Sequence, residues 1–128
     1  MRRMFLLALI LGLSIGCAES VAGGREVISP EGTDTGRPFS PAIRSGDFLF
    51  VSGAIGIEAG SRSTAGIEDQ TRGTLENIGT VLKAAGLDFS DVVSSNVYLA
   101  DARHYDGMND VYRVVFPENA PARATVEA

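Results

Sequence analysis

The chain has 128 residues, 45% of them hydrophobic and 21% charged, with a formal net charge of −5 at neutral pH. That length suits one domain and is short for two. The acidic balance, with no basic run after Arg3, argues against sequence-independent nucleic-acid binding, which depends on clustered lysine and arginine. Cys17 is the only cysteine, so neither an internal disulfide nor a cysteine metal site can form.

In chain order, the first segment reads as a leader. Arg2 and Arg3 give a short positive region, followed by an apolar stretch from Met4 to Ile15. The stretch is too short to span a bilayer, which takes about 20 residues, and it suits the apolar core of a signal peptide. Gly16-Cys17, preceded by Leu13-Ser14-Ile15, resembles a bacterial lipobox, whose cysteine is lipidated and becomes the new N-terminus. The leucine stands one place further from the cysteine than the usual pattern has it. Residues 1–22 are therefore expected to be signal, anchor and tether, with Cys17 the lipidation site. The protein would face the periplasm or cell exterior, touching a membrane only through acyl chains. A cut after Ser20-Val21-Ala22 would instead satisfy the small-x-small rule and release a soluble periplasmic protein.

The folded domain is expected over residues 25–128. Glu26 to Ser29 is a short strand candidate, and Gly32 to Pro41 a loop rich in Gly, Thr and Pro. Ala42 to Arg44 and Phe48 to Ser52 alternate apolar residues around Ser45-Gly46-Asp47, a hairpin signal with glycine in the turn. Ile55 to Glu58 reads as a continuation into the next strand. The period then changes: Ile67, Thr71, Leu75, Ile78, Leu82 and Ala85 recur every three or four residues, one face of a helix ended by Gly86. Val93, Val97 and Leu99 alternate with polar residues, as in a strand with one buried face. Tyr105, Met108, Tyr112, Val115 and Phe116 stripe a second helix, stopped by Pro117. Ala122 to Val126 is the last strand. The order β-β-β-α-β-α-β predicts an α+β domain, a mixed sheet with both helices packed on one face.

Standard catalytic constellations are absent from the sequence. His104 is the only histidine and lies beside Asp101 and Arg103 in a polar helix start, where a solvated or capping role suits it. Gly53-Ala-Ile-Gly56 lacks the P-loop lysine and the dinucleotide-binding pattern, and no metal-ligand spacing occurs. One cation stands out. Arg123 opens the last β-type run, and a guanidinium offers a planar fork that fits a carboxylate with two parallel hydrogen bonds.

Several segments carry a resemblance. Phe116-Pro-Glu-Asn-Ala-Pro-Ala-Arg-Ala-Thr-Val-Glu127 resembles the signature of the RidA family, the reactive-intermediate imine deaminases. Pro38 to Asp47 followed by Phe48 to Gly56 is similar to that family's first hairpin. Gln70 to Ile78 is similar to the opening of its first helix, and Asp91 to Leu99 and Met108 to Tyr112 to its next strand and second helix. The resemblance implies a chorismate-mutase-like sheet assembled as a homotrimer with clefts between subunits, a small carboxylate substrate and no cofactor. It places Arg123 on the substrate carboxylate, with Ser52 and Gly53 lining the same cleft and Asn109 near it. Arg123, Asn109 and Ser52 become the candidate catalytic residues, and Arg123, Gly53, Thr125 and Phe39 the candidate substrate-binding ones. Thr125, two residues from Arg123, shares its strand face. Phe39 stands where many members carry a tyrosine, so any hydroxyl contribution there is lost. Ordinary structural roles compete: Ser52 as a strand-end hydrogen bonder, Asn109 as a helix-surface residue, Thr125 as a β-former.

The reaction implied is hydrolysis of small 2-enamine or 2-imine acids, such as 2-aminoacrylate through its imine tautomer, to a 2-keto acid and ammonia. In the family the proton-moving carboxyl group comes from a glutamate on a strand beyond the arginine motif. Here the sequence runs only to Ala128, so that strand is expected to be missing, with an open sheet edge, marginal stability and little turnover as consequences. Glu127 matches the glutamate within the motif and does not fill the gap. The alternative is a non-catalytic module binding small carboxylates or a partner protein through the same cleft. Ribonuclease activity is disfavoured by the acidic charge and the single histidine.

Overall fold

A computed structural model of the chain describes residues 24–33, 36–56 and 65–128. The leader, most of the tether and Cys17 lie outside them, as do Ile57 and Glu58. The described elements are β1 (Arg25–Ile28), β2 (Ala42–Ser45), β3 (Phe48–Val51), α1 (Ile67–Ala84), β4 (Ser94–Leu99), α2 (Tyr105–Val115) and β5 (Ala122–Glu127). The fold is α+β, in the order the sequence predicts.

The strands bond in two ladders. β1, β2 and β3 form an antiparallel group, and β4 and β5 a parallel pair. The hairpin turns at Gly46, whose φ of +56° is the left-handed conformation that costs glycine least. Parallel pairing of β4 and β5 requires a crossover, which α2 supplies. The mixed pairing expected of one sheet is thus divided, antiparallel in one group and parallel in the other.

Register fixes which residues share a face. In the antiparallel group Ile28, Ala42 and Val51 lie in one row, and Val27, Ile43 and Phe50 in the next, so they face opposite ways. Ile28 and Ala42 are buried. Arg44, on their side of β2, donates through Nη2 to the Ala85 carbonyl at 2.5 Å. That bond satisfies a helix-end acceptor and places a cation at the negative end of α1. The same end is closed by Gly86 at φ +75°, where Gly86 N bonds Lys83 O and Leu87 N bonds Leu82 O, the paired pattern of a Schellman stop.

The core lies where the helices meet the parallel pair. Leu75 of α1, Leu99 of β4, Met108 and Tyr112 of α2, and Phe116 just after α2 form one buried cluster, with Ile67, Phe89, Val92, Val97, Val111 and Val115 packed against it. Each such side chain removed from water stabilises the fold by roughly 1.5–3 kcal/mol. Close helix contact depends on Gly107, where a Cβ would stand 2.6 Å from Ile67 Cγ2.

Three sequence expectations need correction. Ile55 and Gly56 are not strand: Asn77 Nδ2 donates to Ile55 O at 2.9 Å, laying this segment along α1. Val93 precedes β4 and is 72% exposed, so the buried face of the strand begins at Ser95. Tyr105, placed in the apolar stripe of α2, sits in its first turn and is 45% exposed, because the core has run out there.

Candidate functional site

Arg123 stands on β5 with its side chain on the helix-facing side, in one row with Ser95 of β4 directly opposite. α2 crosses above. Tyr105, Met108, Asn109 and Tyr112 recur at helical spacing and form the face of α2 that meets the arginine. Arg123 Nη2 donates to Asn109 Oδ1 at 2.7 Å. Its Nη1 lies 3.8 Å from Met108 Sδ, a weak acceptor. The guanidinium carbon is 4.5 Å from the ring centre of Tyr112 and 5.9 Å from that of Tyr105. Tyr112 is itself held, its hydroxyl 2.8 Å from Ser95 Oγ.

This arrangement stabilises a cation without neutralising it. Arg44, Arg72, Arg103 and Arg113 each form an ion pair with a carboxylate. Among the described residues Arg123 pairs with none, although it is half-buried and burial of a charge is costly. A charge-assisted hydrogen bond contributes about 1.5–3 kcal/mol, and a cation over a partly desolvated ring about 0.5–2 kcal/mol. Those terms can hold the guanidinium in place while leaving its full charge to attract an anion.

Asn109 is buried at 7% exposure, so it is not a helix-surface group. Its amide oxygen is committed to Arg123. Thr125 lies one step along the same strand face, and its Oγ1 is buried with no hydrogen-bond partner among the described residues. Ser52 and Phe39 belong to a different group. Ser52 Oγ donates to Ser40 O at 2.6 Å, the strand-end role, and Ser52 N bonds Pro41 O. Phe39 is 53% exposed with the Arg37 guanidinium 5.9 Å from its ring centre, and Gly53 follows Ser52 on the exposed side. No hydrogen bond or ring contact among the described residues joins this group to Arg123.

His104 is exposed at the start of α2 and makes no capping bond through its side chain. Asp101 does that work for the preceding turn, accepting from Arg103 N at 2.8 Å. The Arg103 guanidinium beside it holds its carboxyl below the usual carboxylate range. Glu127 accepts from Ala102 N at 2.7 Å, tying β5 to that turn.

The sequence reading missed Tyr105, Met108, Tyr112 and Ser95 as neighbours of Arg123. The helical spacing of the first three around Asn109 was a usable signal, but it reads equally as core. Ser95 is invisible without the register of β4 on β5.

Comparison with known proteins agrees with this fold. A profile of the endoribonuclease L-PSP family matches residues 32–128. A RutC family protein of Pyrococcus horikoshii is 46% identical over 92 residues, covering 70% of this chain and 73% of that protein. The human 2-iminobutanoate/2-iminopropanoate deaminase is 36% identical over 92 residues, covering 70% of this chain and 67% of that protein. The chloroplastic Reactive Intermediate Deaminase A of Arabidopsis thaliana is 38% identical over 106 residues, 80% of this chain and 57% of that longer protein. Among solved structures, the YjgF gene product of E. coli superposes with a TM-score of 0.69 at 29% identity, over 80% of this chain and 85% of that one. By sequence and by fold, the chain belongs to the RidA (endoribonuclease L-PSP) family.

Proposed function

We propose that this protein hydrolyses small 2-imino acids to 2-keto acids and ammonia. The observation that carries the reading is Arg123: half-buried, held by Asn109 and Tyr112, and without a carboxylate partner among the described residues. A fork so placed can take a substrate carboxylate on two hydrogen bonds and fix the adjacent C=N carbon for attack. Water adds to that carbon, the tetrahedral intermediate collapses, and the C–N bond breaks as the nitrogen leaves as ammonia. The human relative, by its name, supports the substrate class, and the Arabidopsis relative, by its name, supports deamination.

The test is keto-acid formation from enzymatically generated 2-aminoacrylate. Arg123→Lys keeps the charge and loses the fork, which should cost on the order of 2–4 kcal/mol in kcat/KM. Wild-type kcat/KM in that variant would reduce Arg123 to a structural residue.

A second reading, a non-catalytic binder of small carboxylates, is favoured by one fact. Among the described residues no carboxylate bonds to Arg123, Asn109 or Tyr112, so none is placed to move the protons of hydrolysis. Binding of a 2-keto acid without turnover of 2-aminoacrylate would establish it.

Two further expectations accompany the proposal. Self-association, expected as a homotrimer, would cover the exposed apolar face of the antiparallel group, where Val27, Phe48 and Phe50 are 55%, 64% and 63% exposed. Solution mass by light scattering checks it. Export as a lipoprotein rests on the apolar stretch ending at Gly16-Cys17, and failure of Cys17→Ala to mature is its expected signature.

A further inference from the structure

Tyr112 does more than fill the core. From its contacts we propose that it is a positioning residue for the anion site: its ring is the platform that sets the plane of the Arg123 guanidinium, and Ser95 locks that platform. The inference rests on the reading of Arg123 as the carboxylate grip.

Arg123 and Ser95 are directly opposed across the parallel ladder, so their side chains leave the strands on the same face. Tyr112 bridges them. Its ring centre is 4.5 Å from the guanidinium carbon, and its hydroxyl is 2.8 Å from Ser95 Oγ. Behind it Phe116 lies 4.6 Å away at 33°, and Phe89 meets Phe116 edge-on at 5.4 Å. The ring is buried at 7% exposure, wedged between its aromatic neighbour and the arginine. It cannot swing without breaking the Ser95 bond or opening the core.

A guanidinium at the end of a flexible side chain needs two constraints to present its fork in one direction. The face of Tyr112 sets its plane, and Asn109 Oδ1, 2.7 Å from Nη2, sets its rotation within that plane. With both in place the ordering entropy is paid on folding and not on ligand binding. Without the platform, the arginine keeps its charge but samples orientations in which only one N–H reaches a carboxylate.

The experiment compares Tyr112→Phe, Tyr112→Leu and Ser95→Ala in the full chain, with Leu82→Ala as a buried control outside the cluster that holds Tyr112. The probe is 2-oxobutanoate, titrated by calorimetry, alongside KM and kcat for 2-aminoacrylate hydrolysis. Tyr112→Leu should weaken 2-oxobutanoate binding and raise KM by roughly tenfold with kcat less affected. Tyr112→Phe keeps the ring and should stay within about threefold, and Ser95→Ala should fall between. Leu82→Ala should lower the unfolding temperature and leave binding unchanged. Equal loss in Tyr112→Leu and Leu82→Ala at matched stability would overturn the proposal. So would unchanged binding in Tyr112→Leu. The Arg123 guanidinium N–H resonances give an independent reading, since the guanidinium carbon lies over the Tyr112 ring and its protons should carry an upfield ring-current shift that is lost in Tyr112→Leu. If wild-type protein binds no 2-oxobutanoate yet shows the shift, the carboxylate reading fails while the platform stands. Absence of the shift in wild type would sink the platform itself.

Discussion

Arg123 on the last strand and Asn109 on the second helix are joined by a 2.7 Å hydrogen bond from Nη2 to Oδ1. An amide oxygen in that position restrains the arginine without cancelling its charge, which a carboxylate there would do.

That difference sets the first prediction. Asn109→Asp places a carboxylate at nearly the same point and gives the guanidinium an internal partner. We expect KM for 2-aminoacrylate to rise at least tenfold, because substrate must displace a charge-assisted bond worth about 1.5–3 kcal/mol. Thermal unfolding should change little. Asn109→Ala, which removes one restraint on the arginine without giving it a competing charge, should be the milder variant in the same assay.

Thr125 presents the opposite situation, a hydroxyl oxygen buried on the Arg123 face with no partner among the described residues. Thr125→Val keeps the shape and removes the desolvated group, so the urea midpoint should rise, by about 1 kcal/mol of stability. Turnover should be unchanged. A variant that gains stability and loses turnover would show that the hydroxyl serves the substrate.

Gly56 and Gly73 let the segment after β3 lie directly on α1. A Cβ at Gly56 would overlap the Gln70 carbonyl, and one at Gly73 would stand 2.9 Å from Gly56 O. Backbone cannot yield as a side-chain tip can, so Gly56→Ala should destabilise by about 1–3 kcal/mol. Chemical denaturation measures it. A neutral result would mean that this segment does not pack on the helix as described.

Asp88 caps the turn before β4, accepting from the backbone and hydroxyl of Ser90 at 2.7 and 2.6 Å. The Ser90 hydroxyl, then its backbone N–H, hold the Asp88 carboxyl below the ordinary aspartate range. A carboxyl whose pKa is lowered on folding stabilises the native state above its unfolded-state value, and that contribution is lost as pH falls through the native one. Acidification below the ordinary aspartate value should therefore weaken the fold. Asn caps without titrating, so Asp88→Asn should make the acid limb of the denaturation midpoint against pH shallower. An identical acid limb in the variant would place the sensitivity elsewhere.

Much of this molecule was legible in the residues. The recurrence of Ile67, Leu75 and Leu82 and the glycine at 86 specify α1, because a 3.6-residue period and a left-handed stop are local properties. The turn at Gly46 and the alternation around it specify the hairpin for the same reason. Arg123 was visible as a candidate carboxylate grip from its chemistry and its motif. What the sequence could not decide was everything set by register and packing between distant segments. That Ser95 lies opposite Arg123, that Tyr112 spans the two, that Asn109 is buried and not on the helix surface, and that Ser52 spends its hydroxyl on Ser40 all follow from how elements dock. Local periodicity determines which face of an element is apolar. Only close-packing of those faces against one another determines which polar groups are left touching, and the anion site is made of those.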